Sequence, residues 1–150
     1  MVTTDDHGKI RFLNFDGTTR KIATVNSSPE HFFLPVDFKG DGIIRFLLCD
    51  KHRLYCYDLE GKVIFSLTLD TSIDQAPLLI NLGDEKIIGL NSVAEKRTIL
   101  VRKDGSIIHT FLPGKINNPL IGSLDSNFSI LNLIGSGEDG FLSNYQIVLK

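Results

Sequence analysis

Leu-Tyr-Cys-Tyr-Asp-Leu-Glu-Gly-Lys-Val-Ile-Phe, residues 54–65, is the stretch that decides the fold of this chain. Aromatic and aliphatic residues fill both of its halves, and Glu60-Gly61 stands between them. An acidic residue followed by glycine between two such runs is a strong signal for the tight turn of a β-hairpin. The stretch therefore predicts two antiparallel strands joined at Gly61.

The same turn signal recurs along the chain at a constant interval. Asp16-Gly17, Glu60-Gly61 and Asp104-Gly105 each separate two strand-forming runs, and their glycines are 44 residues apart both times. Self-similarity at a fixed period of this size is typical of repeat folds. The chain is therefore predicted to repeat one supersecondary unit about three times.

Three prolines form a second series with almost the same period. Pro35, Pro77 and Pro119 are 42 residues apart both times, and each precedes apolar residues. Because proline is tolerated at the first residue of a strand, we expect each proline to open a strand. With the hairpins, this gives four strands per unit, here called A to D, with short A–B, B–C and C–D connections and longer polar D–A connections.

Four short antiparallel strands per repeat are typical of the blades of a β-propeller. No segment has the apolar spacing of a helix, so we expect an all-β chain. It should contain two full blades, 33–68 and 77–111, flanked by partial blades 9–25 (strands C and D) and 119–149 (strands A, B and C). A single partial propeller domain over 1–150 is therefore predicted, completed by the rest of a longer chain or by a second copy.

The repeat at Leu54–Phe65 resembles that of the quinoprotein-like (PQQ/WD-like) β-propellers, and Thr98–Phe111 matches it more weakly. The resemblance implies a propeller fold and an extracytoplasmic setting, whereas the strand count indicates that the chain is the C-terminal part of a larger bacterial protein or that it pairs with another copy. The family stacks tryptophans between its blades, whereas this chain has no Trp, and Phe65 and Phe111 stand near the expected aromatic. We therefore expect no quinone cofactor.

Charge and cysteine usage narrow the chemistry further. Sixteen basic and eighteen acidic residues leave a net charge of −2 without a polybasic stripe, which disfavours nucleic acid as a partner. No apolar run approaches the roughly 18 residues of a membrane-spanning helix.

Cys49 and Cys56 lie on two strands that we expect to reverse at Lys51-His52, diagonally across the hairpin. We interpret both as buried free thiols, with a disulfide as the alternative.

One loop contains acidic residues at a spacing similar to that of a calcium-binding loop. Asp37-Phe38-Lys39-Gly40-Asp41-Gly42-Ile43 resembles the integrin-type calcium loop, which would make Asp37 and Asp41 ligands. Calcium needs six to eight oxygen ligands, and Lys39 stands where a third ligand would be needed. A solvated glycine-containing turn is therefore the favoured interpretation, and a calcium site is the alternative.

No acid–base or nucleophilic constellation is visible in the sequence. The D–A and B–C connections lie at one end of a blade, so His31 and His52 are expected to emerge together. We expect a non-catalytic scaffold or interaction module with a protein or glycan ligand, whose candidate binding residues are His31, His52, Asp74 and Arg97, with Lys96 and Asn117 beside them. The alternative is a carbohydrate-binding or carbohydrate-processing module, for which the available carboxylates are Asp70, Asp74, Glu138 and Asp139.

Overall fold

The structure is a computed structural model that describes residues 1–25, 27–111, 117–125, 127, 129–136 and 140–149, without the side chains of 109–111 and 117–119. Every regular element in these ranges is a strand: β1 (Val2–Thr4), β2 (Lys9–Leu13), β3 (Thr19–Thr24), β4 (Phe32–Val36), β5 (Arg45–Tyr57), β6 (Val63–Ile73), β7 (Leu78–Leu82), β8 (Glu85–Ser92), β9 (Arg97–Val101), β10 (Ile107–Phe111), β11 (Asn117–Gly122), β12 (Ile130–Ser136) and β13 (Leu142–Val148). The described ranges contain no helix that is long and apolar enough to cross a membrane. The all-β prediction is confirmed.

The strands form four antiparallel sheets in two compact units. The unit of residues 1–76 holds the sheets β1-β2-β3 and β4-β5-β6. The unit of residues 77–150 holds the four-stranded sheet, whose order is β7-β8-β9-β10, and the sheet β11-β12-β13. In each sheet the strand order follows the chain, as the predicted succession of short connections requires.

Strand β5 has different partners along its length. Residues 45–49 pair with β4, whereas residues 51–57 pair with β6, and Lys51 between them has a φ of 45°. Phe46 and Tyr57 belong to one core cluster, although an extended strand would separate them by about 36 Å. Strand β5 therefore folds back on itself at Lys51, where the sequence predicts a hairpin, and the β4–β6 sheet has four strand segments.

Two strand predictions were wrong. Pro35 is the fourth residue of β4 and Pro119 the third of β11, so neither opens its strand; only Pro77 directly precedes one, β7. Strand β4 is an edge strand, where a missing amide hydrogen costs no ladder bond, and this allows Pro35 inside it. The first sheet also contains β1, which the predicted partial blade 9–25 omitted.

Strand β1 was missed because its turn was not identified. Four turns, at residues 5–9, 14–18, 58–62 and 102–106, share two backbone hydrogen bonds: the first residue donates to the fifth, and the glycine at the fourth position donates to the first. Those glycines have φ between 69° and 88°, a region that L side chains rarely adopt. The last three turns contain the acidic-glycine pairs of the sequence. The first reads Asp5-Asp6-His7-Gly8-Lys9, with histidine in place of the acid.

Each unit has its own core, built where its two sheets meet. In the first unit Ile10, Val25, Phe46, Leu48 and Tyr57 form a buried cluster. In the second unit the buried cluster comprises Ile80, Leu82, Ile87, Leu100 and Leu131. Two sheets that pack face to face bury alternate residues of their strands. This explains why the sequence contains short strands rich in aliphatic and aromatic residues.

Candidate functional site

A recess of about 450 Å³ lies at the end of the β4–β6 sheet where β5 folds back. We call this end, which also receives the segment between β3 and β4, the open end. The recess is lined by Ser27, Ser28, Asp50, Lys51, His52 and Arg53. Lys51, His52 and Arg53 are consecutive and exposed, so the open end presents two permanent cations and a histidine to solvent.

Ser28 and Asp50 join the two segments that form this recess. The Ser28 hydroxyl donates to the Asp50 carboxylate at 2.6 Å, and the Ser28 amide donates to its other oxygen at 2.9 Å. Hydrogen bonds to a charged acceptor are stronger than neutral ones. This pair therefore anchors the β3–β4 segment to the reversal of β5 and fixes the floor of the recess.

His31 forms a hydrogen bond with Ser28, which lines the recess. Its Nδ1 lies 2.7 Å from the Ser28 carbonyl oxygen and its Nε2 lies 2.8 Å from the Thr4 hydroxyl. Because a carbonyl oxygen can only accept, Nδ1 carries the proton, and in the neutral ring Nε2 accepts from Thr4. Both ring nitrogens are thus engaged in tying the β3–β4 segment to β1.

A second, smaller recess adjoins the first and shares Lys51 with it. It has a volume of about 300 Å³ and is lined by Glu30, Phe32, Lys51, Ser72, Ile73 and Asp74. The Lys51 ammonium lies 3.7 Å from a Glu30 carboxylate oxygen, and both side chains are at least half exposed. The two recesses together carry cations, carboxylates and one aromatic ring at the same end of the sheet.

The structure brings together three of the four predicted binding residues. His52 lines the first recess, Asp74 lines the second, and His31 bonds to a residue of the first. Arg97 lies in the other unit, where it opens β9 opposite Ser92. Sequence reasoning missed Ser28 and Asp50, since they lie 22 residues apart and no short motif joins them.

Of the other residues that the sequence predicted for a site, those that the structure describes are not among the residues that line the two recesses. Lys96 is exposed, has a φ of 52° and precedes β9 in the second unit. Asp70 lies in β6 and is exposed. Asn117 opens β11. Glu138 and Asp139 lie outside the described residues.

The opposite end of the same sheet holds the loop between β4 and β5 and the turn between β5 and β6; we call it the closed end. The Asp37 carboxylate accepts the amides of Gly40, Asp41 and Gly42 at 2.8–3.1 Å. Asp41 accepts the Ile43 amide and both terminal nitrogens of buried Arg45, at 2.7 and 2.8 Å. The Arg45 guanidinium, followed by the Ile43 amide, holds the Asp41 pKa far below its ordinary value.

These contacts give Asp37 and Asp41 a structural role in the turn, for which the sequence offered a calcium site only as the alternative. Both carboxylate oxygens of Asp37 and both of Asp41 accept hydrogen bonds from the loop or from Arg45. Across the described parts of the chain, no group of three or more His, Cys, Asp and Glu side chains is placed to hold a metal ion. The loop folds around its own aspartates.

The two cysteines lie near opposite ends of this sheet. Cys49 pairs with Phe32 and adjoins Asp50 at the open end, whereas Cys56 pairs with Phe65 nearer the closed end. Both are free and buried, as predicted. Burial raises the pKa of Cys49 to about 12 and that of Cys56 to about 11, and the nearby Arg45 and Lys39 charges oppose the rise at Cys56. Neither thiol is therefore a nucleophile at neutral pH.

Comparison with known proteins finds similarity in structure alone. No family model and no curated protein matches the chain. Among solved structures, a streptogramin B lyase matches with a TM-score of 0.56 and 18% identity over 95% of this chain and 49% of that one. BBS1N in complex with ARL6DN matches with a TM-score of 0.57 and 13% identity over 99% of this chain and 52% of that one.

A third match is virginiamycin B lyase from Staphylococcus aureus, in a catalytically inactive form with quinupristin. Its TM-score is 0.54 and its identity 20%, over 97% of this chain and 54% of that one. The chain thus spans about half the length of the structures it resembles, and these structures include both a lyase and a complex with a protein partner. At these identities the likeness concerns the fold alone: this chain has the fold of part of a β-propeller.

Proposed function

We propose that the chain is a non-catalytic interaction module of a larger β-propeller, and that it binds an acidic segment of a protein partner at the open end. The observation that carries the proposal is the run Lys51-His52-Arg53, exposed above a recess whose floor is fixed by Ser28 and Asp50. A rigid floor beneath exposed cations lowers the entropy cost of binding.

The charges of the recess favour an acidic partner. Asp50 already receives two hydrogen bonds from Ser28, and its negative charge is directed to the floor. Lys51 and Arg53 line the recess and are exposed; Lys51 lies 3.7 Å from a Glu30 carboxylate oxygen, and Arg53 donates to the Tyr55 hydroxyl at 3.2 Å. Arginine presents a planar fork of donors that suits a carboxylate. The structure of BBS1N with ARL6DN gives a precedent for a protein partner on a similar fold.

The hydrogen bonds around the recess support the non-catalytic part of the proposal. General acid–base catalysis needs a titratable group that can reach a substrate proton. Both nitrogens of His31 are engaged with Ser28 and Thr4, and Asp50 is engaged with Ser28, so neither group is available to act with exposed His52 as an acid–base pair. No cofactor belongs to the proposal, since the oxygens of Asp37 and Asp41 serve the loop. The rest of a parent chain or a second copy completes the propeller.

A peptide array screened with the whole 150-residue chain tests the proposal. We expect acidic peptides to bind, with affinity that falls as salt rises. Fluorescence polarisation of the strongest peptide should show about tenfold weaker binding to the double variant Lys51→Glu, Arg53→Glu. The matched control is Lys39→Glu, Lys62→Glu, which makes the same charge change at the closed end. Equal losses in both variants, or an array without acidic binders, would refute the proposal.

A carbohydrate-binding or carbohydrate-processing module is the second candidate, and the smaller recess is the observation in its favour. Phe32 beside Glu30 and Asp74 combines a ring for stacking with carboxylates for sugar hydroxyls. A glycan array and thermal-shift measurements with sugars separate the two candidates. Stabilisation by a sugar that is lost in Phe32→Ala, while the acidic peptides fail to bind, would favour this candidate over the first.

A further inference from the structure

Strand β13 is an edge strand without the usual protection of an edge. It reads Leu-Ser-Asn-Tyr-Gln-Ile-Val and contains no charged residue and no proline. Within the described parts of the chain it pairs with β12 alone. Two other edges carry protective residues, since β4 contains Pro35 and β3 contains Arg20 and Lys21, whereas β7 and β10 contain neither proline nor an acidic or basic residue other than histidine. An uncharged seven-residue edge is a template for pairing with another strand.

The side chains of β13 are exposed on both faces of its sheet. Leu142 and Val148 are 76% and 65% exposed on one face, and Tyr145 is 44% exposed on the other. Asn144 and Gln146 lie on the first face and each donate one amide hydrogen to Asn132, at 3.2 and 3.4 Å. Each amide keeps a second hydrogen and its own oxygen for another partner.

We propose that β13 pairs with β13 of a second copy, antiparallel, across a twofold axis at Tyr145. In that register Leu142 faces Val148 of the second copy, Asn144 faces its Gln146, and Tyr145 faces its Tyr145. These three kinds of pair, aliphatic with aliphatic, amide with amide and aromatic with aromatic, stabilise antiparallel sheets, and the remaining pair places Ser143 opposite Ile147 of the second copy. The two three-stranded sheets become one continuous sheet.

A second copy fits this edge because the strand is complementary to itself. A twofold interface uses the same residues on both sides, so a charge at the centre would meet its like. Strand β13 has none, and its amides contain donors and acceptors in equal measure. The inference goes beyond the proposed function and does not depend on the recess at the open end.

Sedimentation and light scattering on the whole chain test the pairing. We expect a dimer of twice 16.7 kDa. Tyr145→Lys places two ammonium groups opposite each other and should give a monomer at concentrations where the parent chain dimerises. Val93→Lys, at a side chain of matching 45% exposure between β8 and β9, should leave the dimer intact. Circular dichroism verifies that both variants fold. A monomeric parent chain, or a Tyr145→Lys dimer, would overturn the inference.

Cysteine cross-linking tests the register. Across an axis at Tyr145, the two α-carbons of residue 145 lie about 4.5–5.5 Å apart, within reach of a disulfide, whereas those of residue 144 are diagonal at about 7–8 Å. Tyr145→Cys should therefore oxidise to a covalent dimer much faster than Asn144→Cys, while buried Cys49 and Cys56 take no part. Equal rates would overturn the register. Peptide binding by monomeric Tyr145→Lys, measured separately, shows whether the open end works when the pairing fails.

Discussion

The two ends of the β4–β6 sheet satisfy their polar groups in different ways. At the closed end, aspartates bond to amides of their own loop and to Arg45, four residues after Asp41. At the open end, Asp50 bonds to Ser28, which arrives from a segment 22 residues away. Local bonds need no other part of the fold, whereas the Ser28–Asp50 bond forms only when two segments have met.

The difference separates stability from binding within one sheet. The closed end also contacts the first sheet closely: a Cβ on Gly61 would lie 2.4 Å from the Ile22 carbonyl oxygen. The open end instead leaves Lys51, His52 and Arg53 exposed above a recess. We infer that the closed end makes the tighter contact with the first sheet, and that the open end, which reaches that sheet through His31 and Thr4, is available to a partner. The rate at which a thiol reagent labels Cys56 measures opening of the closed end, and the rate at Cys49 measures opening of the open end.

Gly61→Ala should have the largest effect, because it combines strain with a clash. Gly61 has a φ of 84°, and the added Cβ would meet backbone atoms of Ile22 that cannot move aside. We expect the free energy of unfolding to fall by about 3 kcal/mol, measured by urea denaturation. Labelling of Cys56 by a thiol reagent should accelerate more than labelling of Cys49.

Gly17→Ala is the matched control for this substitution. Gly17 occupies the same position of the same kind of turn with a φ of 82°, but a Cβ there would meet nothing within 4 Å. Backbone strain alone should cost about 1 kcal/mol. If the two variants were equally destabilised, the close approach of Gly61 to Ile22 would contribute nothing, and the inference of a tighter contact at the closed end would be wrong.

Arg45→Leu should have the next largest effect. The Arg45 side chain is 8% exposed and donates to both oxygens of Asp41 and to the Ile43 carbonyl. Loss of these bonds should lower the free energy of unfolding by about 2 kcal/mol. Arg53→Leu at the open end removes an exposed guanidinium and should change it by less than about 0.5 kcal/mol. A comparable loss in Arg53→Leu would contradict the division between the two ends.

The sequence predicted the strands well wherever the turn between them contained a marked pair of residues. Glu60-Gly61 and Asp104-Gly105 marked their turns because glycine alone tolerates the positive φ that these turns need. The turn at residues 5–9 has the same backbone but reads His7-Gly8, and β1 was missed. Pro35 was placed at a strand start because its tolerance inside an edge strand depends on which strand lies at the edge, a property of the sheet.

The candidate site was less predictable than the strands, because its residues are held by contacts between segments that lie far apart in the sequence. That His31, His52 and Asp74 share one end follows from strand direction, which the turn pattern provides. The Ser28–Asp50 bond, which fixes the recess, depends on how two segments pack, and no spacing encodes that. Asp37 and Asp41 looked like weak calcium ligands because the ligand pattern of a loop does not reveal whether a neighbouring arginine already occupies the carboxylate.

Ser28→Ala should have a smaller effect that is confined to the open end. It removes the 2.6 Å bond from the hydroxyl to Asp50 and leaves the bond from the backbone amide. We expect a loss of about 1 kcal/mol in the free energy of unfolding. Hydrogen exchange should accelerate at residues 27–31 and remain unchanged at 37–44, and Cys49 should be labelled faster than in the parent chain. Faster exchange at both ends would mean that the ends are coupled.

Low pH should destabilise the closed end through Asp41, and this effect is the smallest of those predicted because it is absent at neutral pH. The pKa of Asp41 is lowered in the folded chain from 3.8, chiefly by its hydrogen bonds with Arg45, and in the unfolded chain it returns to that ordinary value. Between the two values the unfolded state binds more protons, so stability falls as pH falls below about 3.8.

Asp41→Asn removes this contribution at the closed end. Its deficit in the free energy of unfolding, relative to the parent chain, should be constant from pH 7 to pH 5 and should shrink below pH 3.8, as the unfolded parent chain binds a proton at Asp41. Urea denaturation at each pH measures the deficit. Asp16 and Asp104, whose pKa values are lowered mainly by bonds from Thr18 and Ser106, retain their own acid dependence in both proteins and cancel in the difference. A deficit that stayed constant or grew as the pH fell would mean that Arg45 does not hold Asp41 in the charged state.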